Sequence, residues 1–175
     1  EQKMIRSGNY FKKYMPELGG NATFVVMDDC DINLASDIAL ASFENSGQRC
    51  TAIRRILLHE AISKDFLDLF VEKTRKLIVG NPMDPETDIG TVISDEQVDL
   101  IQSRISQALI EGAELFFGNE RNGAQLSPTI INDVKIESDL VKEETFGPVV
   151  SIIKIKNLNQ AIRYIKNDKY GLASA

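Results

Sequence analysis

The sequence predicts an α/β protein built on a mainly parallel sheet. Short β-branched and apolar runs alternate along the chain with stretches whose apolar residues recur at helical spacing. No internal repeat or low-complexity segment interrupts that alternation. With 175 residues the chain is about one domain long, enough to bury a core without staples.

In chain order, TFVVM at 23–27 reads as a buried strand that ends at Asp28, Asp29 and Cys30. Asp31 caps a helix carrying Leu34, Ile38, Leu40 and Ala41, which fades at Asn45, Ser46 and Gly47. IRRILLHE is a second strand. Ser63 caps a helix whose inner stripe is Phe66, Leu67, Phe70 and Leu77. GNPMDPETDIG at 80–90 is a connector rich in Gly, Pro and Asp. Ser94 and Gln97 form a capping box for a long helix with Val98, Ile101, Ile105, Ala108 and Leu109 inward, and Gly112 ends it at C′. ELFFG, PTIIN and VVSIIKI read as strands, and NLNQAIRYIKND as a short helix. No G-x-G-x-x-G opens a helix after a strand, so the usual dinucleotide fingerprint is missing.

Composition narrows the function classes. The chain is 43% hydrophobic and 26% charged, ordinary for a globular protein. Its net charge of −6, with no basic run, argues against a nucleic-acid surface. Two cysteines make no disulfide framework, and one histidine, His59, builds no common zinc site with them unless carboxylates join in, so no metal is expected. No apolar run reaches membrane-span length and no signal peptide is visible, which makes the cytoplasm the expected compartment. The chain opens on Glu1 and stops at YGLASA inside an apolar-looking segment, as a piece of a longer chain would.

Three segments combine reactive residues with glycine: PELGGN at 16–21, SGQRCT at 46–51 and KEETFGPV at 142–149. Cys50 follows a polar turn beside Arg49. A thiolate there would work as a nucleophile, with nearby backbone N–H groups free for an oxyanion. The competing reading is a buried structural cysteine, which suits Cys30 better. Glu17, set before two glycines, reads as a partly buried carboxylate able to act as a base on water, or as a solvated turn residue. Glu144 could accept two ribose hydroxyls while Phe146 supports a flat heterocycle; the alternative is a charged loop. His59 would be the base of a Cys–His hydrolase, or an ordinary strand-end histidine. Arg49 could hold an anionic group on a substrate, or pair with a carboxylate of the protein.

Together and in this order the segments resemble the aldehyde dehydrogenase superfamily, over essentially the whole chain from Glu17 to Ala175. Glu17-Leu18-Gly19-Gly20-Asn21 matches that family's E-L-G-G-[KN], Phe43 with Gly47-Gln48-Arg49-Cys50 matches F-x-x-x-G-Q-x-C, and Glu143-Glu144-Thr145-Phe146-Gly147-Pro148 matches E-E-x-F-G-P. Pro16 stands where the family usually has an apolar, non-proline residue. The resemblance implies a three-layer catalytic domain over 1–175 whose dinucleotide-binding domain is absent. It implies Cys50 as nucleophile and Glu17 as general base. It places Glu144, Phe146 and Gly19 at NAD or NADP, and Arg49 and Thr51 at a small aldehyde substrate. The family's second oxyanion donor, an asparagine side chain, lies upstream of this piece. The full-length parent would be a homodimer or homotetramer, and the fragment alone inactive.

The GQRCTA run and the RNGAQLSPTIIND segment look most like the branch that includes phosphonoacetaldehyde dehydrogenase. Non-phosphorylating glyceraldehyde-3-phosphate dehydrogenase and lactaldehyde dehydrogenase are the runners-up. A degenerate structural or assembly domain is the alternative that Pro16 favours.

Overall fold

Residues 15–175 are described by a computed structural model. The strands are β1 (Ala22–Val26), β2 (Ile53–His59), β3 (Glu114–Phe117), β4 (Arg121–Asn122), β5 (Gln125–Leu126), β6 (Thr129–Asn132) and β7 (Val149–Ile155). The helices are α1 (Ile32–Leu40), α2 (Ser63–Thr74), α3 (Asp95–Ile110), α4 (Asp139–Lys142) and α5 (Leu158–Lys166). One sheet runs in the order β1-β2-β7-β6-β3. Its first four strands are parallel and β3 closes the edge antiparallel, while β4 and β5 form a separate small ribbon. Beyond β1, Ser174 bridges Thr23 in parallel, and Ala175 exchanges backbone bonds with Thr23 and Val25 at 3.0 and 2.8 Å.

The central strands are apolar on both faces because helices cover both. Ile56 and Leu58 of β2 join Ala35, Ala39, Phe66 and Phe70 in one core. Leu57, between them, joins Ile101, Ile105 and Ala161 in the other. The expected three layers are therefore present, with α1 and α2 on one face and α3, α4 and α5 on the opposite face. Side chains alternate over Ile56, Leu57 and Leu58 of β2, so a one-residue slip would exchange every apolar partner.

Several local expectations need correction. In α1 the inward residues are Ala35, Ser36 and Ala39, whereas Leu34 is 58% and Ile38 40% exposed. Asp31 does cap the helix, but the phase it sets turns small residues towards α2. Ser63 is the first helical residue of α2 and caps nothing. A 3₁₀ turn at Glu60–Ile62 precedes it, and the His59 side chain accepts from the Ala61 N–H instead. Leu77 lies beyond the end of α2, though it still packs on the core. Ser94 caps α3 as expected, but the Gln97 amide does not return to Ser94. It donates to the Phe146 carbonyl at 3.1 Å. Gly112, at φ +104°, closes α3 with its own N–H on the Leu109 carbonyl and that of Ala113 on the Ala108 carbonyl.

Candidate active site

The three reactive segments each end where one of three neighbouring parallel strands begins. Asn21 precedes β1, Ala52 precedes β2 and Pro148 precedes β7. Parallel neighbours start at the same edge, so the topology alone gathers Gly19, Cys50 and Phe146 at the amino-terminal edge of the sheet.

Cys50 arrives on a constrained turn. Asn45, Ser46 and Gly47 lie consecutively in the left-handed region, at φ 52°, 55° and 65°. Such a conformation costs a serine on the order of 1 kcal/mol or more and persists only where surroundings over-determine it. Here they do. Phe43 is fully buried and stacks on Phe70 with ring centroids 5.8 Å apart. A Cβ on Gly47 would lie 2.0 Å from the Gly147 carbonyl oxygen, so the two backbones touch. The Gln48 amide spans the Thr91–Ile93 backbone, donating to Thr91 O at 3.1 Å and accepting from Ile93 N at 2.8 Å. Ala52 N–H closes the turn on Arg49 O at 3.1 Å. Among the described residues the Cys50 and Thr51 N–H groups donate to no protein acceptor. Cys50 is half-buried, and Thr51 beside it is exposed.

The Glu17 segment meets this turn through its glycines. A Cβ on Gly20 would stand 2.3 Å from the Cys50 carbonyl oxygen, and one on Gly19 would stand 2.1 Å from a Glu144 carboxylate oxygen. The Gly20 N–H donates to the other Glu144 oxygen at 3.0 Å. Glu17 itself is exposed, so the burial expected from its flanking glycines is not found. Glycines let backbones approach, but they bring no apolar cover of their own.

The loop carrying Glu144 and Phe146 is held group by group. Glu144 N–H donates to the Tyr170 hydroxyl at 3.3 Å. Arg104 donates to Glu144 O at 2.7 Å and to the Thr145 hydroxyl at 3.0 Å. Arg54 donates to Gly147 O at 3.1 Å, and its guanidinium carbon lies 5.3 Å from the Phe146 ring centroid. The same guanidinium donates to Arg49 O at 2.9 Å. Arg54 is only 2% exposed. Burial pulls its pKa down to about 10, against the opposing influence of Glu144 and Cys50, so it stays charged at neutral pH. These supporting roles of Arg54, Arg104, Gln97 and Tyr170 were not read from the sequence. One signal was there: two adjacent arginines inside a strand buried on both faces must each find internal partners.

Other candidates are placed differently. The Arg49 guanidinium pairs with Glu44 at 2.8 Å and also donates to Ala41 O at 3.4 Å. That is the protein-side pairing set against substrate contact above. His59 lies at the far end of β2, roughly 20 Å from its start at ~3.3 Å per residue. It bonds to the Lys156 carbonyl and the Ala61 N–H. It cannot serve Cys50, so the Cys–His hydrolase reading is overturned. Cys30 packs against the α1–α2 core, and burial above all raises its thiol pKa. A cavity of about 480 Å³ lies away from Cys50, lined by Arg55, Val141, Tyr164 and Asp168 among others. Among the described residues no group of three His, Cys, Asp or Glu side chains is placed to hold a metal ion. No helix there is long and apolar enough to cross a membrane.

Glu144 and Phe146 are the residues that could hold the nicotinamide end of a dinucleotide. Glu144 offers a carboxylate cradled by glycine backbone, and Phe146 a half-exposed ring backed by a cation. Among the described residues nothing comparable stands ready for the diphosphate, and the sequence lacks the fingerprint.

Comparison with known proteins identifies the family. The chain is 42% identical over 163 residues to the sulfoacetaldehyde dehydrogenase of Neptuniibacter caesariensis, covering 93% of this chain and 36% of that protein. It is 42% identical over 162 residues to a lactaldehyde dehydrogenase of Methanococcus maripaludis, covering 92% and 35%. The crystal structure of an NADP-dependent glyceraldehyde-3-phosphate dehydrogenase from Bacillus halodurans, complexed with NADP, superposes with a TM-score of 0.87 at 39% identity, over 90% of this chain and 33% of that one. The chain thus spans about a third of the length of these relatives. Residues 2–175 match the aldehyde dehydrogenase family, and the chain belongs to that family.

Proposed function

We propose that these residues are the nucleophile-bearing domain of a longer NAD(P)-dependent dehydrogenase that oxidises a small aldehyde to its carboxylic acid. The observation that carries this is the meeting of the three segments. The Gly20 backbone lies on the Cys50 carbonyl, Glu144 on the Gly20 N–H, and one arginine joins Arg49 O to Gly147 O.

In this reading the Cys50 thiolate attacks the aldehyde carbon, and the carbonyl electron pair moves onto oxygen. The free Cys50 N–H holds that oxyanion together with a donor from outside these residues. A nicotinamide held by Glu144 and Phe146 would supply the two-electron acceptor that turns the adduct into a thioester. Glu17 then takes a proton from water as the water attacks the thioester, and the Cys50 thiolate leaves.

The substrate class follows less directly. The sequence suggests a phosphonate- or phosphate-bearing aldehyde such as phosphonoacetaldehyde, and the relatives' names add sulfonates. A small aldehyde with a strong anion near the carbonyl is the shared chemistry, and we propose that class. A second reading, a neutral hydroxyaldehyde such as lactaldehyde, is favoured by Arg49 being already paired with Glu44. The test is the rate of reduced-nicotinamide formation by the full-length protein with both aldehyde types, beside Cys50→Ser, Glu17→Gln and Arg49→Ala. Cys50→Ser should abolish turnover, and Glu17→Gln should accumulate a Cys50 thioester visible by intact mass. A preference for phosphono- or sulfo-aldehydes that vanishes in Arg49→Ala supports the anion reading. A preference for neutral aldehydes sinks it. No turnover of any aldehyde sinks the whole proposal.

A further inference from the structure

We propose that Arg54 is a positioning residue of this site, clamping the nucleophile turn to the Phe146 loop so that the two keep a fixed separation. The inference rests on the reading of Cys50 and Phe146 just given. Its geometry stands without that reading.

One guanidinium serves two loops that are remote in sequence. It donates to the carbonyl of Arg49, the residue before the nucleophile, and to the carbonyl of Gly147, the residue after Phe146. Its guanidinium carbon lies 5.3 Å from the Phe146 ring centroid. Arg54 sits in the second position of β2, at a register irregularity against β1 and one residue before regular pairing to both β1 and β7 begins at Arg55. A planar fork can hold two carbonyls in set directions, whereas an ammonium is a point donor without that geometry. Burying a cation is costly, and burial does pull Arg54 below its ordinary pKa. The arginine adds a second bond to each carbonyl, since Arg49 O also accepts from the Ala52 N–H at 3.1 Å and Gly147 O from the Val149 N–H at 2.9 Å. Among the described residues its Nε has no protein partner, so the clamp rests on the two terminal nitrogens.

The clamp predicts a loss of coordination with the fold kept. In the full-length protein, Arg54→Met and Arg54→Lys are compared with wild type by amide hydrogen exchange and by two activities. The first is acylation of Cys50 by p-nitrophenyl acetate, which needs no nicotinamide. The second is reduced-nicotinamide formation from an aldehyde. Exchange should quicken in both 49–52 and 145–148, with β6 unchanged as the control. Aldehyde oxidation should fall on the order of a hundredfold, as expected for small misplacement of reacting groups, while acylation is largely kept. Arg54→Lys should not restore oxidation. Quickened exchange in one segment only, in neither, or throughout the sheet overturns the clamp. So does an equal fall in both activities, or rescue by lysine. If wild type oxidises no aldehyde, the function above fails, and the exchange pattern still decides the clamp.

Discussion

Gly19 and Gly20 are neighbours with different obligations, and substitutions should separate them. An alanine Cβ at 19 meets the tip of Glu144, a side chain that can swing away. An alanine Cβ at 20 meets the Cys50 carbonyl, which is backbone and cannot. In the full-length enzyme, Gly19→Ala is expected to weaken nicotinamide binding about tenfold by displacing one charge-assisted bond, with Cys50 reactivity kept. Gly20→Ala should displace the nucleophile and lower kcat on the order of a hundredfold. Steady-state kinetics separates the two, the first in the KM for the dinucleotide and the second in kcat. The cysteines separate in the same way. Burial keeps Cys30 protonated to higher pH than an ordinary thiol, and Cys50 stands half-open on a turn. Iodoacetamide at neutral pH should therefore label Cys50 first, and preferential labelling of Cys30 would count against Cys50 as the nucleophile. Cys50, Glu144 and Phe146 were legible because glycine and polar neighbours mark them locally. The exposure of Glu17 and the burial of Arg54 were not, since burial is decided by segments far away in sequence.

At the level of elements, the costliest local structure is the left-handed run at 45–47. Gly47 has both a positive φ and no room for a Cβ. Gly47→Ala should thus cost about 3 kcal/mol of stability or more, read as a lowered urea midpoint at unchanged slope. A second costly feature lies across the sheet. Arg55 and Asp168 form a salt bridge with side chains 7% and 6% exposed, and Arg55 also donates to Asn21 O at 2.7 Å. Arg55→Met strands a buried carboxylate and should destabilise by about 3–5 kcal/mol, whereas Arg55→Met with Asp168→Leu should recover much of that loss. A double variant no more stable than the single one would show that the pair is not the source. The helices were legible from periodicity where one face is strongly apolar, as in α3. The phase of α1 was not, because its inner face is made of Ala35, Ser36 and Ala39, and small residues signal close packing more weakly than leucines do.

For the molecule as a whole, the site lies at the opposite edge of the sheet from the usual one. Open α/β sheets commonly bind ligands beyond the carboxyl ends of their strands. Here the proposed chemistry gathers at the amino ends of β1, β2 and β7, on the segments that lead into those strands. That placement was implicit in the sequence, since each reactive segment directly precedes a run read as a strand. What the sequence withheld was the order of the strands. Adjacency of β1, β2 and β7 follows from crossovers that periodicity does not specify, with β7 inserted between β2 and β6. The same topology separates two capabilities. On the proposed function, the nucleophile, base and nicotinamide-facing residues all lie within these 175 residues. A diphosphate fingerprint and the second oxyanion donor do not. Losing one such donor costs roughly 3–4 kcal/mol, a hundredfold or more in rate. The 175-residue chain by itself should therefore be acylated at Cys50 by p-nitrophenyl acetate yet form no reduced nicotinamide from aldehyde and NAD(P)⁺. Circular dichroism would verify that it is folded. Robust aldehyde turnover by a folded chain of this length would mean that the domain is catalytically self-sufficient, and the division of labour proposed here would be wrong.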